Sequence, residues 1–362
     1  MKLLHSFRIR LFIGFGVLAL AAMAGIGLVS MEGLPLSGHT GLVDTFIGNE
    51  LSRLNVAADL RKASIEVWLR ERRANMTVLA RSASLRRLLS GTPTDEARHI
   101  LRETVQTYAD GYEGLDGLAV VGRDGTVLAE SDDRPTGVIP PDFLALAFEP
   151  GNIEAMAMLT GSGAAWLTMS HQVLGTGGTP VAVILARIDP ATMLGSLVSP
   201  GQREWLGGSS EAFFITEDQT LLTPLKFPLA DGREAVPLQT RIDTTASRLA
   251  AQGNEGAQAL ADYRGVPALI AYRHLRLSPG LGWGLILKTD QTEALAPLWQ
   301  SVGHMALAGL AGALAFLGAA AVLATAVTRP LRELGGAARC IERGDFSVRV
   351  DQQGLNEFAV LG

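Results

Sequence analysis

The sequence predicts an α+β chain in which a long N-terminal stalk helix leads into two tandem antiparallel-sheet modules, the whole flanked by two transmembrane helices. Three observations predict it. Two apolar runs without charge, Leu11–Met31 and Met305–Thr328, bracket a long stretch of ordinary globular composition. Inside the bracket, an apolar stripe of helical period runs through residues 42–90. Beyond it the period changes to two, and one strand–turn–strand pattern occurs twice.

A helix rises about 1.5 Å per residue and a bilayer core is about 30 Å thick, so each apolar run is long enough to cross once. Lys2, Arg8 and Arg10 precede the first run, and Arg329, Arg332, Arg339 and Arg343 follow the second. The positive-inside rule then places both ends in the cytoplasm and the bracketed portion outside it. A cleaved signal peptide is the alternative for the first run, since Ala22-Met23-Ala24 offers small residues at a cleavage-like spacing. Against it, the run exceeds the apolar core of such signals, roughly 7–15 residues. The expected division is a cytoplasmic N-terminus at 1–10, a first span at 11–31, an extracytoplasmic portion at 32–300, a second span at 305–328 and a cytoplasmic segment at 329–362. Within the exterior portion, the long helix takes 42–90, a membrane-distal module about 91–200 and a membrane-proximal module about 201–296.

A net charge of -5, a pI near 5.7 and charges of both signs mixed along the exterior argue against nucleic acid as a partner. The single cysteine, Cys340, follows the second run and so falls on the reducing side, which leaves the exterior without disulfides or thiolate metal sites. The six His residues form no pair at metal-ligand spacing, so neither a metal nor a cofactor is expected.

Taken in order, Gly33, Pro35, Gly38 and Gly41 break the helix leaving the first run. Ile47, Leu51, Leu54, Ala58, Ile65, Trp68, Met76 and Leu79 then recur at spacings that fit one helix face, until Ser90-Gly91-Thr92-Pro93 ends the pattern. So long a stripe is expected to face the core and to pack against a second subunit in a homodimer. Leu118–Val121 and Thr126–Ala129 flank Arg123-Asp124-Gly125, a hairpin signal because Asp-Gly supplies positive φ. A second copy follows, with Ala212–Ile215 and Thr220–Thr223 around Glu217-Asp218-Gln219, so that Asp218 matches Asp124 and Thr220 matches Thr126. Ala182–Asp189 likewise parallels Gly282–Asp290, each a strand ending in an Asp that caps a following helix. Pro190 occupies the first helical position after one, and Glu293 is expected to complete a capping box with the other. Pro297 marks a kink or a fresh helix start on the way to the second run, and Trp299 stands where an interfacial anchor belongs. Inside that run, Ala308, Gly309, Gly312 and Ala313 make small-xxx-small pairs that permit close helix contact.

Trp68-Leu69-Arg70-Glu71-Arg72-Arg73, Gly122-Arg123-Asp124-Gly125, Asp262-Tyr263-Arg264-Gly265-Val266-Pro267 and Gly280-Leu281-Gly282-Trp283-Gly284, in that order and spacing, give residues 42–300 a resemblance to the double Cache sensor domains. The resemblance implies a long helix followed by two PAS-like antiparallel sheets. The segment after the second run resembles the start of a HAMP relay. Pro330 opens a helix, Leu331, Leu334, Ala338 and Ile341 form a coiled-coil seam, and Gly344 with Phe346 and Val350 matches the connector. Glu357 stands where a second relay helix begins, and the resemblance implies that this helix and an output domain lie beyond Gly362.

No catalytic constellation emerges. Ser170 and His171 are neighbours on a predicted strand and point to opposite faces, so they cannot act as nucleophile and base together. Gly175-Thr176-Gly177-Gly178 joins two strand-like segments and reads as a hairpin turn, and Asp132-Asp133 as solvated loop acids. A binding surface is the better expectation: alternation puts Trp166, Thr168, Ser170 and Gln172 on one face, one aromatic plate among hydroxyl and amide groups. Amino-acid receptors of the double Cache type carry an Arg-x-Trp-Tyr stretch where this chain has Glu130-Ser131-Asp132-Asp133-Arg134, so the resemblance does not carry amino-acid binding over. Where those receptors hold an Asp for the ligand's ammonium group, alignment places Arg187, which favours an anionic ligand such as a carboxylate.

The sequence therefore predicts a transmembrane receptor that binds a small extracytoplasmic molecule and relays the event inward to a histidine kinase, diguanylate cyclase or chemotaxis-type output. It is not expected to be an enzyme within this chain. The alternative is a membrane-tethered binding or scaffold protein without an output domain.

Overall fold

The computed structural model describes residues 25, 33–34, 39–90, 95–111, 115–131, 139–161, 164–175, 177–191, 193, 207–278 and 280–344. The chain divides into two units, Phe46–Ala296 and a second made of Met1–Thr45 with Pro297–Gly362. The first apolar run, apart from Gly25, lies outside the described residues, as do Asp132, Asp133, Phe346, Val350 and Glu357.

In the larger unit, helix α1 (Leu42–Arg81) stops at Ser82, and α2 (Ala83–Ser90) begins directly after it. The expected single helix over 42–90 is thus broken once. Ser82 Oγ accepts the Leu85 N–H and competes with the helical ladder, which is what serine does at a helix start. Helix α3 (Asp95–Gly111) leads into the first sheet: β1 (Gly117–Gly122), β2 (Val127–Glu130), helix α4 (Pro141–Ala147), β3 (Glu154–Gly161), β4 (Ala164–Leu174) and β5 (Pro180–Ile188). Its strand order is β2-β1-β5-β4-β3, antiparallel throughout. The second sheet contains β6 (Glu211–Thr216), β7 (Gly256–Ala261), β8 (Pro267–Ser278) and β9 (Leu281–Asp290), with helix α5 (Thr245–Ala251) ahead of β7. Its order, β6-β9-β8-β7, repeats that of the first sheet, with one strand reduced. Thr220–Thr223 forms only the bridges Ile215↔Leu221 and Thr220↔Arg241 where the first sheet has β2.

Both turns are built as their sequences require. Gly125 takes φ 84° and Gln219 takes φ 70°. Asp124 and Asp218 accept the Thr126 and Thr220 hydroxyls at 2.7 and 2.9 Å, each two residues on. The Gly175–Gly178 segment is a hairpin turn between β4 and β5, with the Gly178 N–H bonded to the Gly175 carbonyl at 3.0 Å.

One core runs along α1 and joins the two modules. Leu54, Ala58, Ile65, Trp68, Met76 and Leu79 are buried with Val120, Leu167, Met169 and Ile184 of the first sheet and Leu269, Leu275, Trp283 and Leu285 of the second. Each such aliphatic side chain contributes roughly 1.5–3 kcal/mol on burial. Arg273, 2 % exposed on β8, fixes the lie of α1 with bonds to Asp59 Oδ1 at 2.7 Å and to the Asn55 carbonyl and side chain at 2.8 Å. The predicted stripe is therefore consumed within the chain's own fold. A different stripe on α1 stays open to solvent: Leu42, Val56, Leu60, Val67 and Val78 are all exposed.

In the other unit, Gly33–Leu34 and His39–Thr40 pair as a short antiparallel ladder, consistent with the breakers there. Helix α7 (Ala296–Glu342) begins with Pro297 in its first turn, so Pro297 marks a fresh start. Its segment Ala296–Ala319, about 36 Å long at 1.5 Å per residue, is long and apolar enough to cross a membrane. Among the described residues it is the one such helix. Pro330 lies inside α7 and does not open a helix, because losing one N–H from the ladder leaves the flanking turns intact. Leu331, Leu334, Ala338 and Ile341 lie on the same helix, and Gly344 follows it with φ 87°.

Candidate functional site

The first sheet has two faces. The inner one meets α1 and includes His171, beside Glu154 Oε1 at 3.4 Å. Burial holds the His171 pKa below its usual value, against the opposing pull of Glu154. The outer face carries Ala119, Val121, Ala155, Leu159, Val183 and Leu185 under Phe143, Ala147 and Phe148 of the α4 segment. Ser170 and His171 thus point to opposite faces, as alternation requires.

Thr168, Ser170, Gln172 and Arg187 share that outer face, and all four are buried. Two of them are committed internally. Ser170 Oγ bonds to the Ala155 backbone N–H at 3.1 Å, and Gln172 Nε2 donates to the Ala147 and Glu149 carbonyls at 2.8 and 2.9 Å. The polar end of the face is a row across the sheet in which Arg187 on β5 lies directly between Thr168 on β4 and Gly117 on β1. Only 3 % of Arg187 is exposed. Its guanidinium lies over Gly117, where a Cβ would come within 3.0 Å of Arg187 Cζ, so glycine is what opens the floor. Nη1 reaches Glu130 Oε1 at 3.3 Å, and the half-buried Trp166 ring lies 6.0 Å from Cζ. Trp166, Thr168 and Arg187 are therefore brought together, with Ser170 next along the face.

Glu130 and Gly117 are the site residues that sequence reasoning missed. Nothing local in the sequence marks Glu130, and Gly117 is one glycine among many; only strand register sets both beside Arg187. The cation, carboxylate and aromatic plate provide both donors and acceptors in a desolvated setting, which suits recognition of a small polar molecule.

A second charged centre lies in the second module. Lys288 Nζ, 1 % exposed with its residue, contacts Asp262 Oδ2 at 2.8 Å, Asp290 Oδ1 at 3.4 Å and Glu211 Oε2 at 3.8 Å. Arg264 pairs with Asp262 and Asp290, and Tyr263 Oη donates to Glu211 Oε2 at 2.5 Å. The Phe227 ring is flanked by Arg264 at 4.5 Å and Lys288 at 4.9 Å. Burial opposes ionisation of Asp262, but hydrogen bonds from Lys288 and Arg264 outweigh it and hold the carboxyl below its usual range. Burial, reinforced by the Glu211 carboxylate, pushes the Tyr263 phenol up. These contacts tie the β7–β8 turn to Asp290, the residue that precedes helix α6 (Gln291–Ala294).

The expected capping box at α6 is absent. Asp290 makes no side-chain cap bond, because its carboxylate is held by Arg264 and Lys288. Glu293 instead accepts the Gly208 and Ser209 N–H groups, both at 2.6 Å. The equivalent position in the first module behaves as expected: Asp189 Oδ1 accepts the Ala191 N–H at 3.0 Å.

Among solved structures, the chain is similar to a domain of a sensory box/GGDEF family protein from Vibrio parahaemolyticus, at 14% identity and TM-score 0.50, covering 70% of this chain and 98% of that one. It is equally similar to the periplasmic sensory domain of the Campylobacter jejuni chemoreceptor Tlp1, at 10% identity and TM-score 0.50, covering 70% and 99%. No family model and no curated protein matches the sequence. The chain shares the fold of these two sensory domains, which agrees with the fold that the Cache-like resemblance of residues 42–300 implies.

Proposed function

We propose that the chain is a membrane-anchored sensory receptor whose two-module unit lies outside the cytoplasm and binds a small molecule, with carboxylates the favoured class. The observation that carries this reading is Arg187: a guanidinium 3 % exposed, seated over Gly117 beside Trp166 and Thr168. A ligand carboxylate would take the guanidinium bidentately and displace Glu130. The spans are residues 11–31 and the apolar part of α7. The HAMP-like segment, with Pro330, Leu331, Leu334, Ala338, Ile341, Gly344, Phe346, Val350 and Glu357, passes the signal to an output domain of kinase, cyclase or chemotaxis type. A homodimer forms through the open stripe of α1, since Val56, Leu60 and Val67 are spaced as in a coiled-coil seam. A ligand shifts such a receptor only by its difference in affinity between two conformations, about 1.4 kcal/mol for each tenfold change.

The test is thermal stabilisation of the purified chain by a panel of mono- and dicarboxylates. Stabilisation by at least one acid, abolished in Arg187→Ala and retained in Ser170→Ala, is the expected result. Equal stabilisation of the parent and Arg187→Ala would reject the site.

A further inference from the structure

We infer that His171, Glu154 and Arg73 form an acid-sensitive coupling between the two modules. His171 stands on β4, on the face of the first sheet that meets α1, and is 5 % exposed. Its cross-strand neighbours are Glu154 on β3 and Ile184 on β5. Nδ1 lies 3.4 Å from Glu154 Oε1, yet it makes no hydrogen bond among the described residues. A buried ring nitrogen left in that state is rare and calls for a reason.

Glu154 also faces a second cation. Its other oxygen, Oε2, stands 3.6 Å from Arg73 Nε, which likewise makes no hydrogen bond among the described residues. One carboxylate thus sits between two nitrogen groups and is closed on neither. Arg73 belongs to α1, but its Nη2 reaches the second module and donates to the Leu277 carbonyl, near the end of β8, at 2.8 Å. Ring, carboxylate, guanidinium and carbonyl therefore form a continuous row from β4 of one sheet to β8 of the other.

Protonation of the ring changes which cation Glu154 joins. Burial disfavours the charged imidazole, Glu154 favours it, and Arg81 on α1, the other charged group acting on the ring, disfavours it. The net direction keeps the ring neutral near pH 7 and moves its titration below about 6.5. Whichever nitrogen the neutral ring leaves bare, the protonated ring donates from both and sets a full positive charge 3.4 Å from the carboxylate. Glu154 then closes on His171, whose side chain is 6 % exposed, in preference to Arg73, whose side chain is 35 % exposed and screened by water. Arg73 loses its counter-ion, and its hold on Leu277 loosens. In a unit lying outside the cytoplasm, the surroundings set that pH.

The experiment is hydrogen-exchange mass spectrometry of the purified full chain in lipid nanodiscs at pH 7.5 and pH 5, with rates corrected for the intrinsic pH dependence of exchange. Residues 275–282 of the parent are expected to exchange about tenfold faster at pH 5. His171→Gln should abolish the step and leave slow exchange at both pH values, whereas Glu154→Gln should leave fast exchange at both. His274→Gln, which removes the other histidine near this segment, and Arg187→Ala should each keep the step. Absence of a step in the parent, its persistence in His171→Gln, or its loss in His274→Gln or Arg187→Ala overturns the inference. Should His171→Gln fail to fold, Glu154→Gln decides: a step that survives there overturns it as well.

Discussion

Replacing Lys288 by Met removes one of two cations from a buried cluster of three carboxylates, Asp262, Asp290 and Glu211. Met keeps most of the side-chain volume, so the dominant effect is electrostatic. Removing one partner of a buried pair costs about 3–5 kcal/mol, and Arg264, which still grips Asp262 and Asp290, places the expected loss near about 3 kcal/mol. For a unit of this size that is a drop in Tm of about 6–12 °C. The pH dependence identifies the cause. In the parent, Asp262 is held below its usual pKa, so its contribution is complete above about pH 4 and is lost as pH falls through the folded value. Without Lys288 that carboxyl moves upward and protonates more readily. The variant's deficit is therefore largest near neutrality and narrows toward pH 4. Urea unfolding followed by tryptophan fluorescence, to which the fully buried Trp283 contributes, at pH 7 and pH 4 measures both quantities. A deficit below about 1 kcal/mol at pH 7, or one equal at the two pH values, would refute the reasoning.

Gly284→Val should destabilise by about 1–3 kcal/mol in the same assay, since a Cβ there already meets Ile215 Cγ1 at 2.7 Å and the Ala250 Cβ at 2.9 Å. Arg273→Met should raise amide exchange selectively around Asn55 and Asp59, where α1 loses its bonds to β8. His171→Phe should flatten the pH dependence of stability below about 6.5: a buried histidine with a lowered pKa stabilises fully above that value and loses the contribution as pH falls. Leu60→Glu with Val67→Glu should leave the helix content by circular dichroism unchanged and convert a dimer to a monomer in light scattering, because both side chains are exposed in the single chain.

Much of this architecture was legible because its signals are local. Asp124-Gly125 and Asp218-Gln219 specify turns through hydroxyl–carboxylate bonds to the threonine two residues on, so their repetition exposes the second module. The stripe from Leu54 to Leu79 marked the face of α1 that both sheets cover. What stayed hidden depends on register between distant segments. Glu130 and Gly117 join Arg187 only through the pairing of β1 with β2 and β5. The Asp262-Tyr263-Arg264 segment was recognisable, yet its partner Lys288 lies on another strand and gives no signal of its own. Glu293 misled for the same reason: its spacing from Asp290 fits a capping box, but Gly208 and Ser209, remote in sequence, provide the N–H groups it takes. The break at Ser82 was missed because the apolar period continues past it.

The placement of the two-module unit outside the cytoplasm is the claim on which the rest turns, and the chain's single cysteine makes it directly testable. Intact cells are treated with a membrane-impermeant maleimide, comparing the parent, whose only thiol is Cys340, with Asp231→Cys in a Cys340→Ser background. Asp231 is an exposed residue of the second module. The account predicts that Asp231→Cys is labelled in intact cells and that Cys340 is labelled only after permeabilisation. Labelling of Cys340 in intact cells, or protection of Asp231→Cys until the membrane is opened, would contradict it.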